Sequence, residues 1–130
     1  MIAVDTSTWI GFLQEDGGKD TDILDRALQD RHVLMVPVVL TEMLSDPKLP
    51  SEVSQTLSEL PLIELDSGYW QRAGKLRAKV LAKRPNARLG DALIAQSCID
   101  QGIPLLTRDR DFRAFAESVG IDLVALGMEK

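Results

Sequence analysis

Four acidic segments spread along the chain are candidates for chemistry at a phosphate group. Asp5 follows a short apolar run, Glu42 lies among apolar residues, and Asp91 precedes an apolar stretch. Asp109 and Asp111 both belong to the segment Leu-Leu-Thr-Arg-Asp-Arg-Asp-Phe. If folding gathers these carboxylates at one point, their mutual repulsion raises their pKa values and costs stability unless a cation neutralises them.

The residue types indicate which cation such a site would hold. The chain has a single histidine, His32, and a single cysteine, Cys98, so a zinc site built from several such ligands is excluded. Carboxylate oxygens suit Mg²⁺, with Mn²⁺ as the alternative, and the carboxylates could serve one ion or two. A divalent ion among carboxylates shields phosphate charge, activates water and stabilises the leaving oxygen in phosphodiester hydrolysis.

Each acid also has a purely structural interpretation. Asp5 could cap the first helix or begin a turn, and Asp91 is placed as a helix N-cap. Asp109 or Asp111 could cap the helix that follows, and Glu42 could be an ordinary surface residue. For any one acid the structural interpretation is favoured, whereas the four together favour a metal site.

Apolar periodicity predicts strands and helices that alternate along the chain. Strands are predicted at 2–5, 33–36, 61–65, 104–107 and 122–126. Helices are predicted at 8–14, 21–30, 38–45, 51–60, 69–83, 91–101 and 111–119, with Trp70 on the inward face of the longest. This order predicts one domain over residues 1–130, a three-layer α/β/α fold with a mostly parallel sheet of four to five strands.

The predicted sheet would position the acids. Ligands of such folds bind beyond the carboxyl ends of the strands. Asp5 ends the first predicted strand and Asp109 follows the fourth. If these two strands are neighbours, the two carboxylates meet at one edge of the sheet.

Charge is unevenly distributed along the sequence. The net charge of −5 and pI of about 4.8 argue weakly against nucleic-acid binding. However, residues 1–66 carry 13 acids and 4 bases, whereas residues 67–130 carry 7 acids and 11 bases. No acid lies between Ser67 and Gly90, where the bases are Arg72, Lys75, Arg77, Lys79, Lys83, Arg84 and Arg88. This run is either a phosphate-attracting surface or an ordinary solvated helix face.

The acidic segments resemble the motifs of PIN-domain ribonucleases. Ile-Ala-Val-Asp-Thr-Ser at residues 2–7 resembles their opening strand, and Glu42 matches the acid after their second strand. Gly-Asp-Ala-Leu-Ile-Ala at residues 90–95 is similar to their Asp-Ala-Leu-Ile-Ala helix start, and residues 105–112 resemble their fourth-strand motif. The segments occur in the family's order over residues 2–112, and the small size resembles the VapC-type toxins.

The resemblance assigns roles to individual residues. It implies that Asp5, Glu42, Asp91 and Asp109 are the catalytic, metal-site acids, with Asp111 as the competitor of Asp109 for the fourth place. Thr107 would support the site through its hydroxyl, and Thr6 would orient Asp5. The arginines that flank the motifs would contact RNA phosphate or form salt bridges with the acids: Arg88, Arg108 and Arg110.

The resemblance also implies an activity and partners. It predicts a Mg²⁺-dependent endoribonuclease, the toxin of a type II toxin–antitoxin pair, which cleaves tRNA, ribosomal RNA or mRNA. A VapB-type antitoxin, a homodimer and a toxin–antitoxin hetero-oligomer are expected. The N-terminus does not resemble a signal peptide and no apolar run is long enough to span a membrane, so a cytoplasmic protein is expected.

Two alternatives belong to other functional classes. A phosphoacceptor signalling domain on a flavodoxin-like fold would need an acidic pair near the end of strand 1 and a lysine after the last strand. Here strand 1 ends in Asp5 alone and Gly127 follows the last predicted strand. A non-catalytic module that acts only as a protein-interaction partner also stays open.

Overall fold

A computed structural model describes residues 1–119 and 123–124. Within them, four short strands form one sheet in the order β2-β1-β3-β4, and every neighbouring pair is parallel. Ala3 pairs with Leu34 on one side and with Leu105 on the other. The strands are β1 (Ile2–Val4), β2 (Val33–Leu34), β3 (Leu105–Leu106) and β4 (Leu123–Val124).

Helices connect the strands, as a parallel sheet requires. Two helices separate β1 from β2, four separate β2 from β3, and one separates β3 from β4. The helices are α1 (Thr6–Leu13), α2 (Lys19–Gln29), α3 (Pro37–Leu44), α4 (Ser51–Glu59), α5 (Tyr69–Leu81), α6 (Leu89–Gln101) and α7 (Phe112–Val119).

Both faces of the sheet are covered. Successive residues of a strand point to opposite faces, and Ala3, Val4, Leu105 and Leu106 are all at most 1% exposed. Continuous apolar strands are typical of a parallel sheet between two helical layers. The predicted three-layer α/β fold is therefore confirmed, with the strand count at the low end of the predicted range.

The segment predicted as the third strand is not one. Residues 61–65 contribute a single parallel bridge, between Leu62 and Met35, and Leu62 is 48% exposed. Pro61 has no N–H to donate, so only its carbonyl and the N–H of Ile63 bond to Met35. The prediction at 122–126 corresponds to β4, while its residues 122, 125 and 126 lie outside the described residues.

Two other predictions are corrected. Trp70 is 65% exposed rather than inward, and Tyr69 takes the buried position instead. The helices predicted from residues 8, 21 and 91 each begin two residues earlier, at Thr6, Lys19 and Leu89. In the described part of the chain, no helix is both long and apolar enough to cross a membrane.

The order of the sheet fixes the location of the site. β1 and β3 are neighbours, and the N–H of Asp5 donates to the carbonyl of Leu106 at 2.9 Å. The residues that directly follow these two strands therefore meet at the carboxyl edge of the sheet.

Candidate active site

Asp5 lies at the junction of β1 and α1 and is only 4% exposed. Its extended backbone makes it the N-cap of α1, and its Oδ1 accepts a 2.7 Å hydrogen bond from the N–H of Thr6. The hydroxyls of Ser7 and Thr107 donate to Oδ2 at 2.8 and 2.7 Å. Burial raises the pKa of Asp5, and although these three hydrogen bonds oppose the effect, the pKa stays above its usual range. The capping role and a role in a site are thus compatible.

Thr107 connects two of the acids. It is fully buried after β3, and its hydroxyl both donates to Asp5 and accepts from the N–H of Asp109 at 2.9 Å. Oδ1 of Asp109 in turn accepts from the N–H of Asp111 at 2.9 Å. This buried hydroxyl therefore connects the end of β1 to the loop between β3 and α7.

Asp91 lies inside the first turn of α6 rather than at its N-cap. The N-cap is Arg88, whose backbone is extended. Asp91 is 9% exposed, and burial, reinforced by the nearby carboxylates of Asp109 and Asp5, raises its pKa from 3.8 to about 7. The charge of Arg88 lowers the pKa of Asp91, but burial and the neighbouring carboxylates outweigh it.

Three carboxylates form a compact group. Asp91, Asp109 and Asp111 each offer one oxygen, and these oxygens all lie within 4.8 Å of one another. Asp5 is not one of these three, but its charge contributes to the raised pKa of Asp91, and the charge of Asp109 contributes to the raised pKa of Asp5. The side chain of Asp109 is 25% exposed and that of Asp111 is 56% exposed. The fold therefore brings together residues that are up to 106 positions apart in the sequence.

Glu42 lies outside that group. It is exposed on α3, and its Oε1 accepts a 3.0 Å hydrogen bond from the hydroxyl of Thr6. Thr6 thus contacts Asp5 through its backbone and Glu42 through its side chain. Glu42 borders a groove between α1 and α3.

Arg88 is the basic residue next to the acids. Its Nη2 lies 3.4 Å from Oδ2 of Asp111 and 4.0 Å from Oδ2 of Asp109, and its side chain is 68% exposed. A cavity of about 110 Å³ adjoins these residues. Arg84, Asn86, Asp91 and Asp111 supply its polar lining. An exposed guanidinium beside carboxylates can exchange them for a phosphate at low cost.

Arg108 faces away from the acid group. Its Nε and Nη2 donate to the two carboxylate oxygens of Asp20 at 2.7 and 3.0 Å, and its Nη1 donates to Asp16 at 3.1 Å. Asp20 is 2% exposed and also accepts from the hydroxyl of Thr8 at 3.0 Å. Of the two sequence-based interpretations of Arg108, the structure shows the salt bridge, but with acids of α2 and the loop before it. Arg110 is exposed.

Sequence reasoning missed Ser7 and Asp20 as parts of this arrangement. Ser7 bonds to Asp5 and lies 3.3 Å from the hydroxyl of Thr107. The N–H of Arg108 approaches the Ser7 hydroxyl at 3.4 Å. The only local signal was the pair of hydroxyl residues after Asp5, while Asp20 lay in the polar segment between the helices predicted at 8–14 and 21–30.

One family of known proteins matches nearly the whole chain. The PIN domain family model matches residues 2–118. The ribonuclease VapC11 of Mycobacterium tuberculosis is 27% identical over 123 residues, which cover 89% of this chain and 92% of that protein.

Solved structures share the fold. VapBC2 from Rickettsia felis, bound to a fragment of promoter DNA, matches with a TM-score of 0.70 and 21% identity over 95% of this chain and 97% of that one. DNA-bound VapBC from Salmonella typhimurium matches with a TM-score of 0.71 and 20% identity over 94% and 95% of the two chains. At such identities the likeness shows the fold alone.

Proposed function

Because the chain belongs to the PIN-domain family, we propose that it is a divalent-metal-dependent endoribonuclease that acts as the toxin of a type II toxin–antitoxin pair. The observation that carries the proposal is the group of carboxylates beyond β1 and β3, in which oxygens of Asp91, Asp109 and Asp111 lie within 4.8 Å of one another. Similarity to a protein named as a VapC ribonuclease supports RNA as the substrate.

The donor set fits Mg²⁺, with Mn²⁺ as the alternative. All candidate ligand atoms are carboxylate oxygens, which hard divalent cations prefer. The raised pKa of Asp91 supports a bound cation, since two positive charges would offset the repulsion and burial that disfavour its charged form. Asp5, Asp91 and Asp109 would hold the ion. A bound divalent ion would supply a Lewis acid for a phosphate oxygen and an activated water.

Asp109 is preferred over Asp111 as the fourth site acid, after Asp5, Glu42 and Asp91. The Thr107 hydroxyl fixes the backbone of Asp109, whose charge raises the pKa of both Asp5 and Asp91. Asp111 is more exposed and pairs with Arg88, so its role would be to position that arginine.

The chain's own residues orient the acids. Ser7, Thr107 and the N–H of Thr6 fix both oxygens of Asp5, and Thr6 connects it to Glu42. Such supporting hydrogen bonds define the orientation of ligating carboxylates. Arg88 would release Asp111 to contact the substrate phosphate.

The assembly follows from the same relatives. Solved structures with this fold include toxin–antitoxin complexes, some bound to DNA. We propose a VapB-type antitoxin as the partner, a homodimer of this chain within a hetero-oligomer, and the cytoplasm as its location. The targets would be tRNA, ribosomal RNA or mRNA.

The proposal is tested by the cleavage of end-labelled RNA with the purified, metal-free chain. We expect cleavage when Mg²⁺ or Mn²⁺ is added, none in EDTA, and a loss of at least about 100-fold in Asp5→Asn and Asp91→Asn. Asp30→Asn is the matched control, because Asp30 is an exposed acid that ends α2 at the opposite edge of the sheet. Mapping of RNA 5′ ends after expression of the wild type and Asp91→Ala would identify the target. Metal-independent cleavage, or full activity in Asp91→Asn, would contradict the proposal.

A further inference from the structure

The seven bases between Ser67 and Gly90 fall into two groups. Arg72 and Arg77 serve the fold. Arg72 donates to both carboxylate oxygens of Asp100 at 3.1 and 2.7 Å and to the carbonyl of Ser67. Arg77 donates twice to the carbonyl of Ala87. The remaining five bases are all exposed: Lys75, Lys79, Lys83, Arg84 and Arg88.

The exposed bases follow one another along α5 and into the turn after it. Ala73, Leu76 and Val80 form the buried face of α5, and Lys75 and Lys79 lie outside that face, four residues or about 6 Å apart along the axis. Lys83 and Arg84 extend this row into the turn after the helix. We call Lys75, Lys79, Lys83 and Arg84 the α5 basic row.

The α5 basic row ends at the carboxylates. Arg84 lines the cavity that Asp91 and Asp111 also line, and Arg88 lies beside Asp111. A polyanion is repelled by acids, so it needs compensating positive charge where it enters such a site. Residues 67–90 contain no acid, whereas the first 66 residues carry a large acidic excess. The row is thus the positively charged approach to the acid group.

We propose that the α5 basic row binds the sugar–phosphate backbone of a single RNA strand and leads it to the carboxylates. This inference rests on the proposed function and identifies the surface through which the substrate enters. Lysines are flexible point charges, which suit contacts to phosphate that do not depend on base sequence. The row therefore contributes affinity, while the choice of cleavage site depends on other contacts.

The test replaces the lysines singly and together, as Lys75→Gln, Lys79→Gln, Lys83→Gln and the triple variant. We expect KM to rise several-fold in each single variant and roughly 10- to 100-fold in the triple variant, with kcat retained. The slope of log affinity against log salt should fall by about 0.7 for each lysine removed. Arg26→Gln is the matched control, since it removes one exposed positive charge from α2.

A binding measurement separates this inference from the proposed activity. Fluorescence anisotropy of a labelled single-stranded 10-nucleotide RNA is recorded in EDTA, where no cleavage is expected, with a ten-residue glutamate peptide as the second probe. Weaker RNA binding in the triple variant supports the α5 basic row as an RNA surface, whether or not the wild type cleaves RNA. An absence of cleavage by the wild type would overturn only the proposed activity. Unchanged RNA binding in the triple variant, no RNA binding by the wild type, or a loss confined to the peptide would overturn the row as an RNA surface.

Discussion

A negative charge on Asp91 is costly to the folded protein. Its pKa is about 7 in the folded chain against 3.8 ordinarily, so the folded state binds more protons between these values. The contribution of Asp91 to the free energy of unfolding is complete below about pH 4 and is lost as the pH rises through about 7. Retaining an acid at such a buried position is a cost that a structural role alone does not explain.

We expect the free energy of unfolding without divalent ions to fall between about pH 5 and about pH 8, and to fall much less in Asp91→Asn. At about pH 8 the variant should be the more stable protein by roughly 1–3 kcal/mol, because it carries no buried charge. Urea unfolding in EDTA at the two pH values measures this. Asp30→Asn should follow the wild type, and identical pH dependence in Asp91→Asn and the wild type would refute the argument.

Thr107 is the residue on which the geometry of two acids depends. Thr107→Val keeps the shape of the side chain but removes the donor to Asp5 and the acceptor for the N–H of Asp109. We expect a loss of about 1–3 kcal/mol in the free energy of unfolding and of about 10- to 100-fold in Mg²⁺ affinity. Calorimetric titration with Mg²⁺ measures the second effect, and Thr107→Ser should retain most of the affinity because it keeps the hydroxyl.

At the scale of elements, the salt bridge between Arg108 and Asp20 holds the loop after β3 against α1 and α2. Gly11 on α1 lies directly beneath the guanidinium, and a Cβ at this position would overlap its atoms. Burial raises the pKa of Asp20, but the hydrogen bonds from Arg108 and Thr8 outweigh that effect and hold the pKa below its usual range. Gly11 therefore leaves room for the guanidinium of Arg108 against α1 and is not needed for backbone freedom.

Gly11→Ala should displace Arg108 and lower the free energy of unfolding by about 1–3 kcal/mol. Gly74→Ala is the matched control, since Gly74 is also helical but a Cβ there meets no atom within 4 Å. The control should gain up to about 1 kcal/mol, because alanine is the better helix former. Thermal unfolding of the two variants measures the difference in stability. Equal stabilities of Gly11→Ala and Gly74→Ala would show that Arg108 moves aside without cost.

The sequence allowed the elements to be predicted wherever local pattern dominates. The meeting of Asp5 and Asp109 could be predicted on the condition that β1 and β3 are neighbours, because parallel strands share one carboxyl edge. The early start of α2 could not be predicted. Asp20 in its first turn is buried against Arg108, which lies 88 residues away in the sequence. Trp70 was misplaced because it borders the buried face of α5, and Tyr69 fills the interior by donating to the carbonyl of Leu93 at 2.6 Å.

The candidate site also combines features that local sequence indicates with features that depend on distant contacts. The acids could be selected by residue type and motif, but their mutual distances depend on Thr107 and Ser7, whose hydroxyls meet across 100 positions of sequence. Nothing local to Ser7 distinguishes it from an ordinary first-turn serine. Its contact with Asp5 is a property of the sheet order.

A bound metal would join three separate parts of the fold. The acids that would hold it come from the end of β1, from α6 and from the loop after β3. An ion that binds only the folded arrangement stabilises it by about 2.7 kcal/mol at 100 times its dissociation constant. For a chain of this length, that corresponds to a rise in Tm of roughly 10 °C.

We therefore expect Mg²⁺ to raise the Tm of the wild type at about pH 8 and EDTA to reverse the change. The rise should be nearly absent in Asp91→Asn and small at about pH 5, where Asp91 is protonated. Differential scanning fluorimetry measures it, and Asp30→Asn should respond as the wild type does. An equal rise in Asp91→Asn would place the bound ion elsewhere.

The hydrogen bond between Thr107 and Asp5 joins residues that are 102 positions apart, and this distance has a consequence for synthesis on the ribosome. Asp5 is among the first residues to emerge, but its partners on β3 are translated only after more than a hundred others. Until then β1 has only β2 beside it, and Asp109 and Asp111 do not yet exist. The proposed site is therefore incomplete on the nascent chain, and any activity that depends on it would begin only near the end of translation.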